Sequence, residues 1–201
     1  GRWEDYLKTL GKNHRANHRR RLRRLGELGE LRLETADTGD KLDDVLEEGF
    51  GIEALAWKGT AGTAVQSDPV LRAYYRDSSR RLDRQGWLKL YFLALNDRRI
   101  AFQYCLQYRD RVFLIKPGYD PEFARFSPSH LLTWLILEEA FGSEIVEYDF
   151  VGAEDPWKLA WTSHKHPQEW LYIFANSLYG RCLHTLKFRA APAIKRLLKK
   201  G

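Results

Sequence analysis

The 201-residue sequence predicts a mixed α/β fold of the α+β kind, a twisted β-sheet flanked by helices. Three observations carry this. Hydrophobic periodicity switches between helix and strand along the chain, in the order β-α-α-β-β-β-α-β-(short helix)-β-α after a first basic helix. Three consecutive strand-like runs, WLKLYFLAL, RIAFQYCLQY and RVFLIKPGY, meet at the short polar turns NDR and RDR, which implies an antiparallel meander. A content of 44% hydrophobic and 13% aromatic residues fills one sizeable core at this length, so a second independent core is not expected.

The first element is basic. Lys8, Lys12, Arg15, Arg19, Arg20, Arg21, Arg23 and Arg24 are followed at the other end by seven basic residues between 181 and 200, with no acid in either stretch. The rest of the chain holds 18 basic against 27 acidic residues, so the pI of about 9.3 belongs to the two ends. A helix over about 12–28 places Leu22, Leu25 and Leu28 on one stripe. Residues 1–29 are expected to pack on, or link to, an upstream domain outside this chain, or to present cations to phosphates, and residues 30–201 to form the sheet domain. His14 and His18 stand at i, i+4, a metal-ligand spacing; without a carboxylate beside them they read as surface histidines.

A strand at LRLETA follows, then a helix over DKLDDVLEEGFGIEALAW with Asp40 as its cap. Beyond the loop WKGTAGTAVQSDP, Asp68 and Pro69 open a second helix at VLRAYYRDSSRRLDRQ. After the meander, Ser127 and Pro128 start a helix that runs to Phe141. EIVEYDFVG is the fifth strand; Gly152 breaks it, and Glu154, Asp155 and Pro156 turn the chain into a short helix holding Trp157, Lys158 and Trp161. EWLYIFA is a sixth strand. LYGRCLHTLKFRAAPAIKRLLKK closes the chain as a helix kinked at Pro192.

Several classes are set aside. No window reaches the roughly 18 apolar residues of a membrane helix, and no signal-peptide pattern opens the chain, so a cytoplasmic protein without a membrane span is expected. Cys105 and Cys182 stand apart in apolar or aromatic surroundings, which reads as two reduced, mostly buried thiols, and no metal site is expected. WKGTAGTAV lacks the GK[ST] ending and the strand–helix setting of a phosphate loop. The sequence holds no methionine and begins at the approach to a helix, which reads as part of a longer protein.

The element order, with WKGTAGTA, YDPEFARFSPSHLL and DFVGAEDPWKLAW, resembles the GNAT acyltransferase superfamily over about residues 12–190. More narrowly, it is similar to the branch named for cellulose-biosynthesis acetyltransferases, which shares its fold with the Fem-type peptidoglycan aminoacyltransferases. The resemblance implies a sheet splayed into a V between its fourth and fifth strands, an upstream GNAT-like half, and acetyl-CoA or another acyl-CoA as cosubstrate.

Candidate site residues follow from chemistry and resemblance together. At FARFSPSHLL, the amides of Ser129, His130 and Leu131 behind a Ser127–Pro128 helix start offer donors and a positive helix end to a pyrophosphate, and Arg125 adds charge. Arg125 matches the first position of the superfamily's Q/R-x-x-G-x-G/A loop, whereas Pro128 and His130 replace its glycines. Trp57 and Lys58 are expected to present an apolar wall and a cation to the cleft. Trp157 and Trp161 flank Lys158, which matches an aromatic-Lys-x-x-aromatic motif whose lysine, in Fem-type enzymes, is thought to stabilise developing negative charge or substrate phosphate. Asp149 and Asp120 are the candidate bases, and Tyr119 is a candidate donor to a leaving thiolate.

Three functions are consistent with these residues. The first is acyl-CoA-dependent N- or O-acyl transfer to a polar metabolite or to a cell-envelope or polysaccharide precursor. The second is Fem-type transfer from aminoacyl-tRNA, although no helical-hairpin insertion is visible; nucleic acid other than tRNA is not expected. The third is a non-catalytic GNAT-like binding module.

Overall fold

The computed structural model describes residues 1–55, 64–167, 169 and 171–190. The chain forms two compact units, Gly1–Ser163 and His164–Gly201. The first opens with α1 (Trp3–Thr9) and α2 (Lys12–Gly26), followed by β1 (Leu31–Thr35), α3 (Leu42–Leu55) and α4 (Pro69–Arg84). The meander is β2 (Leu88–Leu95), β3 (Arg98–Tyr108) and β4 (Arg111–Tyr119). A 3-10 turn, Pro121–Phe126, leads to α5 (Pro128–Ala140), then β5 (Glu147–Asp149) and α6 (Pro156–Leu159).

The five strands lie in sequence order, β1-β2-β3-β4-β5. The first three pairings are antiparallel and β4–β5 is parallel, so the sheet is mixed. Asn96 and Arg109 take left-handed backbone at the two meander turns, which lets each strand reverse in two residues. Asp68 caps α4 as expected, accepting from the amides of Val70 and Leu71 at 2.8 and 3.2 Å. At α3, a 3-10 turn over Gly39–Lys41 runs into the helix in place of an Asp40 cap.

Side-chain alternation along the strands builds two cores. On one face, Phe92, Phe102, Tyr104 and Leu90 pack with Leu46, Phe50 and Ile52 of α3. Gly49 permits the approach: a Cβ there would stand 2.4 Å from the Phe102 ring. On the other face, Leu93, Ala101, Cys105, Val112 and Leu114 pack with Leu131, Leu132 and Ile136 of α5 and Leu25 of α2. A third cluster joins Leu7 and Leu10 to Trp134, Leu137 and Trp161.

Residues 1–26 therefore share their cores with the sheet. The expected stripe on α2 is partly right, with Leu25 fully buried and Leu28 49% exposed. His14 and His18 depart from the surface reading: His18 is 2% exposed and stacks on Trp134 at 5.4 Å. Their helical spacing aims both rings at α5, where aromatic neighbours replace water.

Two strands also differ from expectation. β5 spans only three residues, because the Asp149 carboxylate accepts the Val151 amide at 2.7 Å and Val151 and Gly152 both take positive φ, 40° and 72°. That Asx turn rotates the chain out of the sheet before the apolar run ends. In the second unit, 171–175 form no strand. Tyr172 and Phe174 instead pack within that unit against Phe188, and Phe174 against His184, beside α7 (Leu178–Thr185) and a π-helical turn, Leu186–Ala190. Ser177 caps α7 through the Gly180 amide at 3.1 Å. Pro192 lies outside the described residues.

Candidate active site

The site is set by where β4 and β5 part. Their parallel pairing covers Arg111–Phe113 against Glu147–Asp149 and then stops, while β4 runs on from Leu114 to Tyr119. From Phe113 to Tyr119 is about 20 Å at the usual strand rise. The chain after β5 leaves through the Asx turn, so the two strands open into a V with Asp149 at its vertex. A bulge in β4 lies just past the vertex: Cys105 faces Leu114 and Tyr104 faces Lys116, leaving Ile115 as the extra residue. Bulges re-aim the backbone and recur beside active sites.

The V rests on a buried polar network. Gln103, fully buried on β3, donates to Thr133 Oγ1 at 2.8 Å and accepts from the Tyr148 hydroxyl at 2.6 Å. Thr133 Oγ1 donates to the Ser129 carbonyl at 3.2 Å. The network ties β5, β3 and the first turns of α5 together. Burial pushes both Tyr148 and the adjacent Cys105 thiol well above their usual pKa, so both stay protonated.

At the start of α5, Ser127 holds left-handed backbone (φ 53°) and makes no side-chain cap. Its carbonyl takes the amides of His130 and Leu131 at 3.0 and 3.1 Å. Two of the three expected anion donors are therefore spent, which corrects the reading of three free amides. Because Pro128 has no N–H, Ser129 is the first-turn residue whose amide has no protein acceptor among the described residues. The His130 ring packs 5.8 Å from Trp157 and 6.3 Å from Trp161. Arg125 is exposed, with its guanidinium 4.7 Å from the Phe126 ring. One amide and one exposed cation fit a phosphate more sparsely than a glycine-rich loop does.

The remaining candidates are dispersed. Lys158 donates to the carbonyls of Val151 and Ala153 at 2.8 and 2.9 Å and pairs with Asp155 at 2.9 Å. All three ammonium protons are thereby used in holding the loop after β5. Asp120 is 6% exposed, paired to Arg98 at 2.5 Å and accepting the Glu122 amide at 3.0 Å; it is a capped ion pair, not an available base. Asp149 is half-buried at the vertex. Tyr119 is half-buried at the far end of β4 and packs on the α5-side core. Trp157 is half-buried beside Phe150 and His130. Trp161 is 1% exposed, a core residue that no substrate reaches. Trp57 and Lys58 lie outside the described residues.

Sequence reading missed one cluster on the α3–α4 face of the V. Glu53 of α3 is fully buried, accepting the Val65 amide at 3.0 Å and pairing with Lys116 at 3.4 Å. Lys116 directly follows the bulge, and its Nζ stands 5.8 Å from the Tyr75 ring. Burial raises Tyr75 to about 12. Gly118 sets the depth of α3 on β4, since a Cβ there would meet Glu53 Cα at 2.5 Å. The signal was available as a lysine inside the run VFLIKPGY and a glutamate inside IEALAW. Among the described residues, no group of three or more His, Cys, Asp or Glu gathers to hold a metal ion, and no helix is long and apolar enough to cross a membrane.

A five-stranded mixed sheet with helices on both faces, opened between its last two strands, defines an acyltransferase-type fold. Residues 12–159 match the family model described as an acetyltransferase (GNAT) domain, and the chain belongs to that family. Among solved structures it is similar to FemX, with TM-score 0.59 and 12% identity over 79% of this chain and 55% of FemX, so it spans about half of that protein's length. It is also similar to a possible acetyltransferase from Clostridium difficile 630, with TM-score 0.50 and 14% identity over 73% of this chain and 99% of that one. No curated protein matches the chain.

Proposed function

We propose that the chain is an acyl-CoA-dependent acyltransferase domain that transfers an acetyl or related acyl group to an amine or hydroxyl of a polar metabolite or envelope-glycan precursor. The observation that carries this reading is the parting of β4 from β5 after Phe113 and Asp149, with the β4 bulge directly beyond it. The edge of β4 inside the V would hold the pantetheine arm, and the Ser129 amide with Arg125 and the hydroxyls of Ser127 and Ser129 would hold the phosphates. Bound acyl-CoA supplies the activated carbonyl.

The chain's own groups position and deprotonate the acceptor. Asp149, at the vertex, has one oxygen on the Val151 amide and accepts the acceptor's proton through water with the other. Lys116, oriented by Glu53, is the cation on the acceptor face. Tyr119 lies about 13 Å beyond the bulge at the usual strand rise and flanks the arm. Lys158 acts as a positioning residue, because it fixes the loop that gives Asp149 its Asx turn. Titration calorimetry with acetyl-CoA and with CoA tests the reading: both should bind, and Arg125→Ala should weaken them about tenfold. Heat-silent titrations with both, confirmed by an absence of competition with a fluorescent CoA analogue, would rule it out.

A second reading, Fem-type transfer from aminoacyl-tRNA, is favoured by the exposed face of α2, where Lys12, Arg19, Arg20, Arg23 and Arg24 point to solvent, and by the likeness in fold to FemX. It predicts salt-dependent tRNA binding that charge reversal on this face abolishes, with acetyl-CoA unbound.

A further inference from the structure

Helix α2 is fastened to α5 and to Trp161, just after α6, by a seam of histidines and tryptophans. His14 and His18 lie with ring centroids 4.2 Å apart, His18 stacks on Trp134 at 5.4 Å and 11°, and His130 is 6.0 Å from His18. Trp161 stands edge-on to His14 at 4.6 Å and 87°, and 5.0 Å from His18. The hydrogen bonding inside this seam is incomplete in one particular way. His18 Nδ1 lies 2.8 Å from the His14 carbonyl; a carbonyl only accepts, so Nδ1 carries the proton of the neutral ring and Nε2 is a bare lone pair. Nε2 of His18, Nε2 of His14 and Nε1 of Trp161 are all buried without a hydrogen-bond partner among the described residues.

Such a seam admits these imidazoles only in the neutral form. A proton arriving at His18 Nε2 would make a buried N–H⁺ with no acceptor, in a place closed to water, and an unpaired buried charge is among the most expensive states a protein can hold. The titratable and charged groups that act on the pair are Arg21 on α2 and His130 on α5, while Tyr6 of α1 and Tyr148 of β5 pack on the neighbouring cluster around Trp134 and Trp161. None of them is a carboxylate, so among the described residues no counter-charge compensates the proton.

We propose that this seam is a proton-operated latch: protonation of His18 and His14 releases α1 and α2 from α5 while the sheet and helices α3 and α4 remain folded. The neighbouring contacts make a partial opening feasible. Opening withdraws Leu25 from the α5-side core, whereas the α3–α4 core lies on the opposite face of the sheet, shares no residue with the seam and holds β2–β4 from that side. What opening exposes is the apolar side of α2, with Leu22 and Leu25, together with the apolar side of α5. Desolvation, the main influence on all three rings, lowers His14, His18 and His130, and takes His18 to about 4.

Hydrogen exchange on the whole 201-residue chain between pH 7.5 and 4.5, corrected for intrinsic rates and without added ligand, tests the latch. Amides of residues 12–26 should lose protection about tenfold per pH unit per histidine below roughly pH 6.5, while β2–β4 amides keep theirs. His18→Phe, which keeps the stack on Trp134 and cannot be protonated, should move the opening at least one pH unit lower. If that variant fails to fold, the imidazole NMR titration of the unsubstituted chain decides: the His18 ring signal should change only as α2 opens. The proposal falls if His18 titrates near 6.5 with α2 still protected, if α2 and the sheet lose protection together, or if α2 stays closed to pH 4.5.

Discussion

The ammonium of Lys158 donates to the carbonyl of Val151, 2.8 Å away, and Val151 holds a φ of 40°. A β-branched residue takes left-handed backbone only when its surroundings enforce it. Here the enforcement comes from both sides, Asp149 accepting the valine's N–H and Lys158 donating to its C=O. Lys158→Met should accordingly cost stability, about 1–3 kcal/mol from lost charge-assisted bonds, with a melting temperature lowered by several degrees. A variant that melts like the parent but turns over a hundredfold slower would instead place this ammonium at the reacting centre.

Gly152, at φ 72°, lies in the same turn, where an added Cβ would approach Lys158 Nζ to 3.4 Å. Gly152→Ala should destabilise by roughly 1 kcal/mol from the backbone alone. Urea unfolding of the variant beside Lys158→Met checks whether both act through one loop, since coupled residues give non-additive losses.

Breaking the Glu53–Lys116 pair from one side should be costly. Lys116→Met leaves a carboxylate buried in α3, and a loss of about 3 kcal/mol is expected. The double variant Glu53→Gln, Lys116→Met should recover most of that. A double-mutant cycle by denaturant unfolding measures it; two losses that simply add would show that the pair is not coupled.

Gly118→Ala probes the fit of α3 on β4. A methyl group 2.5 Å from Glu53 Cα has backbone, not a flexible chain end, in its way, so the helix must lift, at about 1–3 kcal/mol. Loss of acyl-CoA binding along with stability would link that packing to the V; the crystal structure of the variant would show the displacement.

Stability should also fall in acid, with a definite sign. His18 shifts from 6.5 in the unfolded chain to about 4 when folded, so the unfolded state binds more protons below pH 6.5. The contribution of the neutral ring is complete above that pH and is lost as pH falls toward 4, by at most about 3 kcal/mol. Urea midpoints measured at several pH values should follow this curve, and should flatten in His18→Phe.

The elements that depend on local periodicity and turn chemistry were legible in the sequence. The meander, the Asp68–Pro69 helix start and the start of α5 at Pro128 are written in alternation, a capping aspartate and proline, and each acts within a few residues of itself. The mixed sheet with flanking helices follows from their order. What only the tertiary structure decided depends on partners far apart in the chain. His14 and His18 read as surface residues because their cover, Trp134 and Trp161, comes from more than a hundred residues away. Lys158 read as a free cation because its acceptors are backbone carbonyls, which every residue carries and no pattern marks. EIVEYDFVG read as a longer strand because β propensity does not register an Asx turn that needs one valine in left-handed backbone. The Glu53–Lys116 pair was invisible as a pair, since only the packing of Gly118 on α3 brings the two charges to the same side of the V.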